Sequence, residues 1–132
     1  MTGVFRLLGK RTDIARLTAA LDVATSSSAF GEAFPNVLGE AMSCAVPCVV
    51  TDVGDSAYIV GPTGRVVKPG QAEALAVALA EILKMEAVER RALGQSARER
   101  VSEMFELGAV RQRYEAVFLG LASPVQLKPC AA

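Results

Sequence analysis

Residues 26–54 read SSSAFGEAFPNVLGEAMSCAVPCVVTDVG, and this stretch decides the fold. Pro35 suits the first position of a helix, because the N–H it lacks is one that the first turn leaves unpaired anyway. That helix should run to about Cys44, since Pro47 forbids much continuation. Residues 47–51 (PCVVT) lack polar alternation, which predicts a strand covered on both faces. Upstream, residues 22–26 (DVATS) predict another short strand, followed by a loop over residues 27–34. A strand, a crossover helix and a buried strand imply a parallel pair.

Further out, the pattern repeats. Residues 4–8 (VFRLL) form an apolar run ending at Gly9, read as a strand. Thr12 is a plausible N-cap with Asp13 favourable in the first turn, and Ile14, Leu17 and Leu21 recur at helical spacing. Gly54, Gly61 and Gly64 mark turns, and residues 64–68 (GRVVK) predict the last strand, closed by Pro69 and Gly70. The remainder is helical. One apolar stripe is Leu75, Leu79, Ile82 and Leu83; a second is Leu93, Ala97, Val101 and Phe105; a third is Val110, Tyr114, Val117, Phe118 and Leu121. Residues 123–132 have no periodicity and read as a disordered tail after one domain over residues 1–122. The expected fold class is α/β, a partial Rossmann-like parallel sheet with a helical C-terminus. Ligands of such sheets sit outside the carboxyl ends of the strands, here residues 9–10, 26–28, 51–54 and 68–70.

The 132 residues suit a single domain, and the formal net charge of zero with scattered Lys and Arg offers no basic stripe for nucleic acid. Apolar runs are interrupted well before membrane-spanning length, and Lys10, Arg11 and Asp13 break the N-terminal run too early for a signal peptide. A cytoplasmic protein is expected, resting at most on the inner face of a membrane. The absence of histidine excludes a Ser-His-Asp triad, a histidine general base and a histidine-ligated metal within this chain. Cys44, Cys48 and Cys130 include no CxxC pair and read as small buried residues plus a tail thiol.

Glu32 and Glu40 stand eight positions apart. Spacing alone carries nothing, because Glu73 and Glu81, and Glu81 and Glu89, share it on solvated helix faces. Context separates the first pair: Glu32 lies in a loop at strand ends, and Glu40 lies in the following helix among Val37, Leu38, Ala41 and Met42. The helix cap falls at or near Phe34, which has no side-chain acceptor. The amides of Asn36, Val37 and Leu38 are then free donors, open to water or to an anion such as a diphosphate. Flanking carboxylates, acceptor-only when ionised, would suit sugar hydroxyls.

The block GEAFPNVLGEAM (residues 31–42), followed by PCVVTDVGDSAYIV (residues 47–60) and TGRVVKPG (residues 63–70), resembles the family 4-like retaining glycosyltransferases over nearly the whole chain. The resemblance implies the GT-B type, two Rossmann-like domains facing a cleft, of which this chain matches the C-terminal, donor-binding one. It implies a nucleoside diphosphate sugar as donor, no cofactor and no metal, and a glycan or lipid-linked acceptor. By matching position, Glu32 would contact the transferred sugar as the catalytic carboxylate and Glu40 the ribose. Ala33, Phe34, Pro35, Asn36 and Val37 would meet sugar and diphosphate, and Gly9, Lys10 and Arg11 the nucleobase.

Two departures stand out. Ala45 occupies a position where the family usually has glycine. The family's domain also begins with two further strands and an Arg-Lys pair that holds the diphosphate, and nothing in this chain matches them; the acceptor domain is likewise unmatched. In the 3-2-1-4-5-6 order the two unmatched strands would lie between residues 4–8 and residues 22–26. Residues 4–8 are therefore expected to be detached, displaced or paired at the vacated edge, and that vacant edge is expected to be prone to self-association. A non-catalytic nucleotide- or partner-binding α/β module is the alternative. An NAD-type domain is disfavoured because no G-x-G-x-x-G follows a strand.

Overall fold

The computed structural model describes residues 6–120. Three parallel strands, β1 (Ala24–Ser26), β2 (Cys48–Thr51) and β3 (Arg65–Val67), lie in that order. Ala24 is opposite Cys48 and Val49 opposite Arg65. These are the strands expected at residues 22–26, 47–51 and 64–68, the first two trimmed at the N-terminal end and the third at both. Pro47 cannot donate to the ladder, but its carbonyl accepts from the Ala24 amide at 3.0 Å.

All four residues of β2 are buried because helices cover both faces. Side chains alternate across a strand, so Cys48 and Val50 point one way and Val49 the other. On the first face they meet α2 (Asn36–Ser43), α3 (Ser56–Val60) and α5 (Ala87–Phe105), through Leu38, Met42, Ile59, Val60 and Ala97. On the second, Val49 packs with Ala78 and Ile82 of α4 (Ala72–Lys84). Cys48 lies in this core, where burial pushes its thiol up to about 12. Cys44 is half-buried, and Cys130 lies outside the described residues.

Several expectations need correction. Residues 6–8 form no strand and Leu7 is 92% exposed; Val4 and Phe5 lie outside the described residues. An isolated apolar run gains no ladder hydrogen bonds without a neighbouring strand, and among the described residues none lies beyond β1. Helix α1 (Ile14–Thr18) is capped by neither Thr12 nor a side chain of Asp13, because the Asp13 carboxylate is held by Arg11. The helix ends before Leu21, which is exposed. Where only turns were expected, residues 56–60 form α3, continued by a 3-10 turn (Gly61–Thr63). Five residues are too few to display a helical period, and burial of Ser56, Ile59 and Val60 holds this helix in place. In α4, Ala78 rather than Leu83 shares the inward stripe with Ile82. Helix α6 (Leu107–Phe118) has the expected period, yet Tyr114, Val117 and Phe118 are exposed. Leu121 and residues 123–132 lie outside the described residues.

Helix α2 ends in a Schellman motif: the Val46 amide donates to the Ala41 carbonyl at 3.1 Å and the Ala45 amide to that of Met42 at 2.9 Å. The motif needs a left-handed residue, and Ala45 takes that role with φ +58°. A Cβ in this region is strained. Ala45→Gly is therefore expected to raise stability by about 0.5–1 kcal/mol, after the entropy that glycine adds to the unfolded chain is set against the relief. Urea denaturation checks it: the midpoint should rise, and a lower midpoint would show that the alanine is unstrained.

Candidate functional site

The loop between β1 and α2 is fixed from below by the end of β2. Buried Thr51 donates its hydroxyl to the Ser28 carbonyl at 2.6 Å, and more weakly to that of Ser26 at 3.4 Å. The Asp55 amide donates to the Ala33 carbonyl at 2.8 Å. Between these ties Gly54, at φ +56°, lies so close to the loop that a Cβ would run into the carbonyl oxygens of Glu32 and Ala33. Glycine is thus required at position 54 both for its backbone conformation and for the approach of the two loops.

This support aims Glu32. Its side chain is half-buried, and Oε1 accepts from the Ser28 hydroxyl at 2.7 Å. The second carboxylate oxygen has no protein donor among the described residues. It is the group available to a ligand hydroxyl.

Pro35 is the N-cap of α2, one position later than expected, and gives no side-chain cap. Its carbonyl accepts from the Leu38 amide at 3.1 Å. Leu38 is therefore not a free donor, contrary to expectation, because the first turn closes in a tight i to i+3 bond. The Asn36 and Val37 amides have no acceptor among the described residues and keep the donor capacity expected of them. Phe34 is half-exposed, and its ring meets Phe105 edge-on with centroids 5.7 Å apart.

Glu40 is exposed on the flank of α2, one turn beyond Asn36. Both line an open groove of about 710 Å³ between α1, α2 and the end of α5, with Phe34, Gly39, Val101 and Phe105 among its walls. Phe34, Asn36 and Glu40 are thus brought to one groove. Gly9, Lys10 and Arg11 are exposed and do not line it. Arg11 makes a two-point ion pair with Asp13, both bonds 2.8 Å, which holds the Asp13 carboxyl below its usual range.

Sequence reasoning singled out the two carboxylates but missed what holds their loop. Ser28 and Thr51 are small polar residues at strand ends, a signal too common to stand out. Gly54 was legible only as a turn. Phe105 showed itself as the last member of an apolar stripe, with nothing to connect it to a loop seventy residues earlier.

The fold thus holds a Glu32 carboxylate anchored through one oxygen, two amides at the start of α2 without acceptors among the described residues, and a groove that Phe34, Asn36 and Glu40 line and Glu32 does not. The chain is 35% identical over 113 residues to the N-acetyl-alpha-D-glucosaminyl L-malate synthase of Bacillus anthracis, covering 84% of this chain and 29% of that protein. Among solved structures, sucrose-phosphate synthase from Thermosynechococcus elongatus superposes with a TM-score of 0.69 at 34% identity, over 80% of this chain and 26% of that one. HepE of Anabaena in complex with UDP-glucose superposes with a TM-score of 0.70 at 25% identity, over 84% of this chain and 31% of that one. The chain therefore spans less than a third of the length of each of these relatives. No described helix is long and apolar enough to cross a membrane. The family model for glycosyl transferases group 1 matches residues 2–85, which include the three strands, Glu32 and Glu40, and the chain belongs to that family.

Proposed function

We propose that the chain is the nucleotide-sugar-binding part of a retaining glycosyltransferase. Glu32 accepts a hydroxyl of the transferred hexose, and Glu40 accepts the ribose hydroxyls of the donor. The diphosphate lies at the start of α2, where the free Asn36 and Val37 amides and the positive end of the helix dipole favour an anion. Ala33, Phe34 and Pro35 shape the wall beside the sugar, and Gly9, Lys10 and Arg11 flank the nucleobase. No metal and no cofactor take part. The acceptor, a glycan or a lipid-linked sugar, is held by the other GT-B domain, at the inner face of a membrane in the lipid-linked case.

The observation that carries this reading is the fixed position of Glu32 beside an uncapped helix start. Relatives of the same fold whose structures hold UDP or UDP-glucose support it.

The test uses an enzyme carrying this chain together with its acceptor domain. Glu40→Ala is expected to weaken donor binding by about 1–3 kcal/mol, the cost of a lost charged hydrogen bond. Glu32→Gln is expected to lower turnover more than donor affinity. Glu81→Ala is the control: that residue sits eight positions from both Glu73 and Glu89 and makes only an exposed pair with Arg65 at 3.1 Å. Donor affinity in Glu81→Ala should match the unaltered enzyme. Equal damage from Glu81→Ala and Glu40→Ala would show that the assignment is wrong.

A further inference from the structure

Helix α5 is a long way from the proposed donor site in sequence, yet its last turn reaches it. Phe105 stands between two rings, edge-on to Phe34 of the site loop and edge-on to Tyr58 of α3, each at 5.7 Å between centroids. Edge-to-face aromatic pairs have a preferred geometry and fix orientation as well as area. One turn earlier Val101 packs against the first-face core and lines the same groove. Arg100 locks the helix at its height: Nε donates to the Ile59 carbonyl at 2.9 Å and the terminal nitrogen to the Tyr58 carbonyl at 2.6 Å. These are last-turn carbonyls of α3, which a cation at a helix C-terminus satisfies.

Phe34 has two ties to its surroundings. Its neighbour Ala33 is bonded to Asp55, and its ring leans on Phe105. The loop between Glu32 and the start of α2 is therefore held below by β2 and from the side by α5. We propose that Phe105 is a positioning residue of the donor site: it holds Phe34, and through Phe34 the start of α2, in the arrangement that receives the diphosphate sugar. It lies outside the region matched by the family model, which ends at residue 85. The consequence is that the C-terminal helices take part in donor binding without touching the reacting atoms. The proposal rests on the donor-site reading above.

Amide hydrogen exchange tests it on the chain itself. The Asp55 amide reports the loop through its bond to Ala33, and the Asp52 amide, bonded to the Val67 carbonyl at 2.8 Å, reports the sheet. In Phe105→Leu, which keeps apolar volume and removes the ring contacts, Asp55 exchange should quicken by about tenfold relative to Asp52. Phe105→Tyr keeps the ring and should restore it. Ile82→Val, on the opposite face of the sheet, loosens the core without touching the loop, and should leave the Asp55 to Asp52 ratio unchanged. The same variants are then titrated with UDP-glucose, and Phe105→Leu should weaken binding several-fold while Ile82→Val does not.

An unchanged Asp55 to Asp52 ratio in Phe105→Leu overturns the proposal. So does quickened Asp55 exchange with unchanged UDP-glucose affinity, because the loop would then move without consequence for the donor. If the unaltered chain fails to bind UDP-glucose, the donor-site reading fails, and the exchange ratio still decides whether Phe105 holds the loop.

Discussion

Gly94→Ala should destabilise the chain by about 3 kcal/mol, the upper range for overpacking a core. Gly94 is buried in the middle of α5, where the helix crosses the C-terminal end of α2. A Cβ there would run into the Ala45 carbonyl oxygen and press on the Pro47 ring at 3.3 Å. The obstacle is backbone, and Ala45 is itself pinned by the Schellman bonds, so neither side can yield by rotating a side chain. Relief would need the two helices to move apart, opening the core around Met42, Val46 and Ala97. Alanine is otherwise the better helix former by about 1 kcal/mol, so an ordinary helical site would show the opposite sign. Gly108→Ala in α6 is such a site: its Cβ would meet only the Glu106 carboxylate, no closer than 3.7 Å. Thermal unfolding of the two variants separates the cases. Gly94→Ala should melt roughly 10 °C lower and Gly108→Ala no lower than the unaltered chain. A Gly94→Ala variant of unchanged melting temperature would mean that α2 and α5 do not meet as closely as described.

The second large effect is an absence of turnover: this chain by itself is expected to transfer no sugar. Transfer needs an oriented acceptor hydroxyl and a stabilised leaving diphosphate. Single donors that stabilise developing charge are worth ~10²–10³ in rate. The family resemblance assigns that task to an Arg-Lys pair that no residue here matches. Lys10 and Arg11 do not replace it, since they lie outside the groove and Arg11 is engaged by Asp13. The same resemblance assigns acceptor positioning, another large contribution, to the other GT-B domain. The measurement is release of nucleoside diphosphate from a panel of nucleotide sugars with glycan and lipid-linked acceptors. Turnover that follows the chain through purification and vanishes in Glu32→Gln would show a complete catalyst and contradict this expectation.

The parallel sheet was legible because its cues are local. Pro47 and the unbroken run CVVT specify a strand covered on both faces, and Pro35 with Pro47 bracket α2. Residues 4–8 carry the same apolar cue, yet residues 6–8 form no strand, as expected of a segment whose neighbouring strands are unmatched: a strand exists only with a partner in the sheet. Helix α3 was illegible for a different reason: five residues leave no period to read, and its stability comes from Ile59 and Val60 in the core. The stripe of α6 was read correctly as a helix, and its exposure could not be read, since periodicity records a face and not what covers it. At the site, the carboxylates could be picked out by motif and context. Their support could not, because the hydroxyls of Ser28 and Thr51, the Gly54 approach and the Phe105 ring act across the fold.

The central claim is that the loop carrying Glu32 and the start of α2 form the donor site. It is tested most directly by titrating the isotope-labelled chain with UDP-glucose up to millimolar concentration and following backbone amide shifts. Saturable shifts should centre on Glu32, Ala33, Phe34, Asn36, Val37 and Glu40, be smaller with uridine, which lacks the diphosphate, and weaken in Glu40→Ala. Shifts confined to another opening, such as the turn at Gly70 to Ala74, or no shift while the Asp55 amide stays protected, would contradict the account.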